Sequence, residues 1–185
     1  IPTHKFVSET ALVKDMMYTV RTLKSSILLY PEASYSFDGT SPTPLPESLG
    51  KCIKLLKVPV VMIRTYGAFQ RDPLYNLLKL RNVDVSADME YLLSPEEIAS
   101  LTADDINSLV SSRFAFDHFQ WQKENGIEVK ENFRTDGLCS VLYKCPKCGK
   151  EGVMESGGEE IWCSSCAKKW RMEEDGSLKA MDGDD

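Results

Sequence analysis

Long apolar runs are missing from this chain of 185 residues. None approaches the roughly 18 residues that a membrane-spanning helix needs, so a helical span is excluded. A basic surplus is missing too. Lys and Arg number 22 against 28 Asp and Glu, a net charge of −6. Non-specific nucleic-acid binding depends on neutralising phosphates, so this balance disfavours it. Histidine is scarce: His4 and His118 are the only two, which leaves few candidates for a general base. No opening stretch reads as a secretory leader, and a cytoplasmic location is expected. The first residue is Ile rather than Met, so a fragment or a processed chain is expected.

What is present suits a globular protein: 42% hydrophobic and 27% charged residues. The length allows one ordinary domain and a small appendage. Ser8 can cap a helix to about Lys24, with Leu12, Val13, Met16, Met17, Val20 and Leu23 at helical spacing. Ile27-Leu28-Leu29-Tyr30 reads as a short buried strand ending at Pro31-Glu32. A Pro-rich loop follows, and then Leu49, Cys52, Ile53 and Leu56 mark a second helix. The β-branched run from Val58 to Ile63 predicts a second buried strand, and strand, helix, strand suggests a parallel βαβ unit. Val83, Val85, Ala87, Met89 and Tyr91 alternate with polar residues as a third strand. Ser94-Pro95-Glu96-Glu97 is a helix start with a capping box. Apolar spacing continues through Val110, with Thr102 a candidate break. Phe114, Phe116, Phe119 and Trp121 extend into a further helix that stops at Asn125-Gly126, and helical spacing makes them core residues.

Four of the six cysteines form two C-x-x-C pairs, Cys145/Cys148 and Cys163/Cys166, separated by 14 residues. That spacing reads as metal ligation. Zinc takes four thiolates in a tetrahedron, and the intervening residues suffice for a hairpin that brings up the second pair. Gly149 suits a left-handed conformation after its knuckle. A full thiolate sphere makes the zinc structural, with no position for a reactive water. An iron or iron–sulfur site is the alternative. From Leu138 on, seven basic residues face ten acidic ones, which argues against a nucleic-acid role for this ribbon. Trp162 and Trp170 are expected to cover the site. Cys52 is expected to be a core residue.

The segment Tyr30-Pro31-Glu32-Ala33-Ser34-Tyr35-Ser36 resembles the Phe-Pro-Glu-Gly-Thr-Arg-Ser motif of the 1-acylglycerol-3-phosphate acyltransferase family. Val58-Pro59-Val60-Val61-Met62-Ile63 resembles that family's last block, and Ile1-Pro2-Thr3-His4-Lys5 the tail of its second. The three matches stand in the family's order and span about residues 1–92. The resemblance implies acyl transfer from acyl-CoA or acyl carrier protein to a lysophospholipid-like glycerolipid acceptor. By position, Glu32, Ser34, Tyr35 and Lys5 would bind substrate. Tyr35 stands where the family has an Arg toward phosphate, and Lys5 where it has another, so the bidentate fork is lost at both. The family's His-x-x-x-x-Asp base motif is not in the chain, since His4 opens a His-x-x-x-x-Glu at the wrong block.

The expectation is therefore an α/β protein. Residues 1–137 would be the C-terminal part of a glycerolipid acyltransferase-type sheet flanked by helices. Residues 138–179 would be a four-cysteine zinc ribbon, and 180–185 a disordered acidic tail. The chain as it stands would be inactive and would self-associate through exposed apolar surface. Its parent would sit peripherally at the cytoplasmic face of a membrane. The alternative is a non-catalytic scaffold whose ribbon docks a protein partner.

Overall fold

The computed structural model describes residues 10–32, 35–40, 44–77 and 79–183. In chain order it forms α1 (Thr10–Arg21), α2 (Ser48–Leu56), β1 (Val60–Tyr66), α3 (Ala68–Arg71), β2 (Ser86–Leu93), α4 (Pro95–Ser100), α5 (Ala103–Phe114), α6 (His118–Glu124), β3 (Met154–Gly157), β4 (Glu160–Cys163), β5 (Lys169–Met172) and β6 (Leu178–Ala180). Helices and two small antiparallel sheets make it a mixed α/β chain. Two compact units interleave along the sequence. Residues within 1–35, 42–64 and 88–115 belong to the first, and those within 36–41, 65–87 and 116–185 to the second.

The first unit packs Leu49 of α2, Leu93 of β2, Ile98 of α4, and Ile106 and Val110 of α5 into one core. Each of these side chains contributes about 2 kcal/mol by leaving water. Gly50 lets α2 approach α5 closely. A Cβ there would lie 2.1 Å from the Ala103 carbonyl oxygen, and the Gly50 N–H donates to Asn107 Oδ1 at 2.7 Å. The Ser94–Glu97 capping box is formed, with reciprocal bonds of 3.1 and 2.7 Å. A second box, Thr102–Asp105, restarts the chain as α5, so the break at Thr102 is real.

Four expectations fail between residues 27 and 93. Residues 27–30 form no strand, and Leu28, Leu29 and Tyr30 are exposed. Among the described residues no neighbouring strand hydrogen-bonds to them, and a strand is stable only within a ladder. There is therefore no parallel βαβ unit: β1 pairs with β2 in a two-stranded sheet. Nor is β1 buried on both faces. Val60 packs on the core and Met62 is buried, whereas Val61 and Ile63 are exposed. The third strand begins at Ser86 rather than Val83, which is buried ahead of it.

The second unit is built on the sheet β3-β4-β5-β6, antiparallel throughout. Its register puts Ile161 opposite Trp170, and Glu160 opposite Arg171. Period-two alternation then sends Ile161, Cys163, Trp170 and Met172 inward, and Glu160, Trp162, Lys169 and Arg171 outward. The inward set meets Phe69, Tyr75, Leu138, Cys145 and Met154. Beside this core lies a buried polar network. Arg81 Nη2 donates to Tyr75 Oη, Asn76 Oδ1 and the Arg134 carbonyl at 3.0, 2.9 and 2.9 Å. Arg134 in turn donates to the Met172 carbonyl at 2.7 Å and pairs with Glu159 at 3.0 Å.

The end of the chain is not wholly a loose tail. Ala180 closes β6, and Asp182 pairs with Lys168. Asp184 and Asp185 lie outside the described residues.

Candidate metal centre and the other candidate residues

The two C-x-x-C knuckles fold alike because each closes the same pair of backbone bonds. The N–H of Cys145 donates to the Lys150 carbonyl, and that of Gly149 to the Cys145 carbonyl, both at 2.9 Å. In the second knuckle Cys163 donates to Lys168, and Ala167 to Cys163, again at 2.9 Å. The β3–β4 hairpin carries the chain from one knuckle to the other, with Met154 opposite Cys163.

This brings the sulfurs of Cys145, Cys148, Cys163 and Cys166 within 4.8 Å of one another. Cys145 Sγ is 3.7 Å from Cys166 Sγ, and Cys148 Sγ is 3.8 Å from Cys163 Sγ. Both close pairs join one knuckle to the other. A disulfide needs about 2.05 Å, so neither is one. The edge of a tetrahedron of sulfurs around an ion at about 2.3 Å is about 3.8 Å, so the donor set fits a metal ion such as zinc.

Electrostatics points the same way. Burial opposes charge on Cys145, but the N–H groups of Cys148 and Lys147 and the thiols of Cys163 and Cys148 offset it and bring the group down to about 7. At Cys166 the Lys168 N–H favours the thiolate. Burial and the neighbouring Cys163, Cys145 and Cys148 nonetheless push it up to about 11. Four thiolates this close repel one another, so all four can be charged together only with a cation among them.

Trp170 packs against the core that contains Cys145 and Cys163, whereas Trp162 stands on the outer face of the sheet. Cys52 is half-buried in α2, and burial raises its thiol. Gly149 has φ 71°, the left-handed value its place after the knuckle suggests.

The acyl-transfer candidates are less gathered. Lys5 and Ser34 lie outside the described residues, as does His4. Glu32 sits in a turn after the exposed 27–30 segment, half-buried, and burial raises its carboxyl. Tyr35 is exposed. Among the described residues the one histidine is His118, packed against Phe69 at 5.2 Å and Phe116 at 4.8 Å. Burial lowers its pKa, and the Asp117 charge opposes that. An open cleft in the second unit is lined by Asn82, Asp84, Glu128, Lys130 and Glu131 among others, and of the described substrate candidates neither Glu32 nor Tyr35 lines it.

Two clusters escaped the sequence reading: the Arg81 network and the Lys168–Asp182 pair. No spacing rule links residues 53 or 14 positions apart, so no local signal in the sequence points to them.

Compared with protein-family models, with curated proteins and with solved structures, the chain matches none.

Proposed function

We propose that Cys145, Cys148, Cys163 and Cys166 hold one structural zinc ion, and that the ribbon is a metal-stabilised module. It would be attached to the C-terminal part of a glycerolipid O-acyltransferase. The observation that carries the zinc reading is the pair of crosswise sulfur separations, 3.7 and 3.8 Å, which match the edge of a zinc–thiolate tetrahedron. Four protein thiolates fill the coordination sphere, so the ion's part is folding and not catalysis.

The acyltransferase reading is supported by the ordered motif resemblance through Glu32 and residues 58–63. The exposed apolar side chains at Leu28, Leu29, Tyr30, Val61 and Ile63 also suit a sheet that is completed by further strands. The acceptor would be a lysophospholipid-like molecule and the donor acyl-CoA or acyl carrier protein, at a membrane surface. This chain carries no His-x-x-x-x-Asp base for that reaction, so it would be inactive alone.

A scaffold reading, in which the ribbon docks a protein partner, is favoured by one observation: Glu32 follows no strand. Two experiments separate the readings. Native mass spectrometry of the chain should find one zinc, lost when Cys148→Ser and Cys163→Ser are combined; a metal-free or iron-loaded wild type rejects the zinc assignment. In a longer protein containing an upstream His-x-x-x-x-Asp, Glu32→Gln should lower acyl transfer to a lysophospholipid by roughly tenfold or more. Unchanged turnover would leave the scaffold.

A further inference from the structure

We propose that the C-terminal tail is a strap on the second knuckle, with Asp182 holding the buried Lys168 ammonium and so slowing release of the metal. The inference rests on the zinc reading above. Lys168 touches two of the four ligands through its backbone. Its carbonyl accepts the Cys163 N–H at 2.9 Å, and its own N–H donates to the Cys166 sulfur. Whatever displaces Lys168 therefore displaces both halves of the second knuckle.

The Lys168 side chain is only 4% exposed. An ammonium so withdrawn from water is strongly unfavourable unless an anion faces it. Asp182 supplies an anion, and the face of Trp170 lies 5.8 Å from the ammonium. The tail is brought there by the ladder. β6 pairs with β5 from Leu178 to Ala180, and the Met181 N–H donates to the Lys169 carbonyl at 3.1 Å. Asp182 thus arrives beside Lys168 because the sheet continues one residue past β6. Trp170, under the ammonium, packs on the core that holds Cys145 and Cys163. Removing Asp182 takes this anion away from the buried cation and weakens what holds the Lys168 side chain in place beside Trp170.

The test uses the full chain loaded with zinc and follows transfer of the ion to an excess of a chromogenic chelator. Asp182 is about half exposed, so its loss is discounted accordingly: Asp182→Asn should release zinc roughly tenfold faster. A chain ending at Ala180 should be at least as fast. With Lys168→Met no ammonium is left to hold, and adding Asp182→Asn should then change the rate by less than about twofold. Wild-type release rates in Asp182→Asn overturn the strap alone, and so does an Asp182→Asn effect that persists in the Lys168→Met background. A wild-type chain that takes up no zinc overturns the strap together with the zinc reading, and the zero stoichiometry tells the two failures apart.

Discussion

Gly149 and Ala167 occupy the same place in the two knuckles, each one residue past the second cysteine of its pair, with φ of 71° and 60°. Each donates its N–H at 2.9 Å to the first cysteine of its pair. The left-handed backbone costs a residue with a Cβ about 1–2 kcal/mol, and glycine almost nothing. The second knuckle therefore carries a strain that the first avoids. Ala167→Gly should stabilise the ribbon by about 1 kcal/mol, and Gly149→Ala should destabilise it by a similar amount. Nothing lies within 4 Å of a Cβ at Gly149, so its cost would be conformational alone. All three tryptophans, Trp121, Trp162 and Trp170, belong to the second unit, so urea unfolding followed by tryptophan fluorescence reads both changes. Equal midpoints for the two variants would contradict the argument.

This pairing also shows what was legible in the sequence. The C-x-x-C spacing, the glycine after the first knuckle and the capping box at Ser94 are local signals, each set by a few adjacent residues. All three hold in the structure. Residues 27–30 failed because an apolar run reports a preference for burial and says nothing of whether a neighbouring strand is there. The two interleaved units were likewise invisible, since residues 36–41 join a body built mostly from residues beyond 115. Gly39 explains the join in retrospect. Its carbonyl accepts the His118 N–H at 2.8 Å, and a Cβ there would lie 2.5 Å from the Phe69 ring.

The Arg81 network gives a second prediction. The guanidinium is buried and donates to neutral acceptors: Asn76 Oδ1, Tyr75 Oη and the carbonyls of Gln70 and Arg134. Arg81→Met removes the donors and leaves these acceptors dry, so it should destabilise the second unit by about 3 kcal/mol. Arg81→Lys keeps the charge but cannot reproduce the fork, in which Nε and Nη2 both meet Asn76 Oδ1 at 3.1 and 2.9 Å. It should recover only part of the loss. Urea midpoints by tryptophan fluorescence check both, and a Lys variant as stable as wild type would mean that charge, not geometry, matters here.

His118 makes the stability of the same unit depend on pH. Burial lowers its pKa below the ordinary 6.5, so the folded chain binds this proton less readily than the unfolded chain does. Its contribution is fully present above about 6.5 and is lost as pH falls from there through the lowered folded value. His118→Gln should flatten this part of the profile between about pH 7.5 and pH 5.5. With saturating zinc in both proteins, thiolate protonation affects them equally and cancels in the difference. A wild-type slope that survives the substitution would assign the effect to other groups.

The last prediction concerns the outer face of the β1–β2 sheet. On the inner face Val60 and Leu92 pack on the core, and Glu90 pairs with Arg113 of α5 at 3.0 Å. Val61 and Ile63 of β1 and Met89 and Tyr91 of β2 instead stand 45, 50, 73 and 59% exposed. Four apolar side chains on neighbouring strands form a patch rather than scattered exceptions, and such patches drive association. The chain should associate increasingly with concentration, as read by light scattering. Ile63→Lys with Met89→Lys should shift it toward monomer while leaving the urea midpoint within about 0.5 kcal/mol of wild type, because neither side chain reaches the core. A clean monomer at high concentration would mean that this face does not drive self-association.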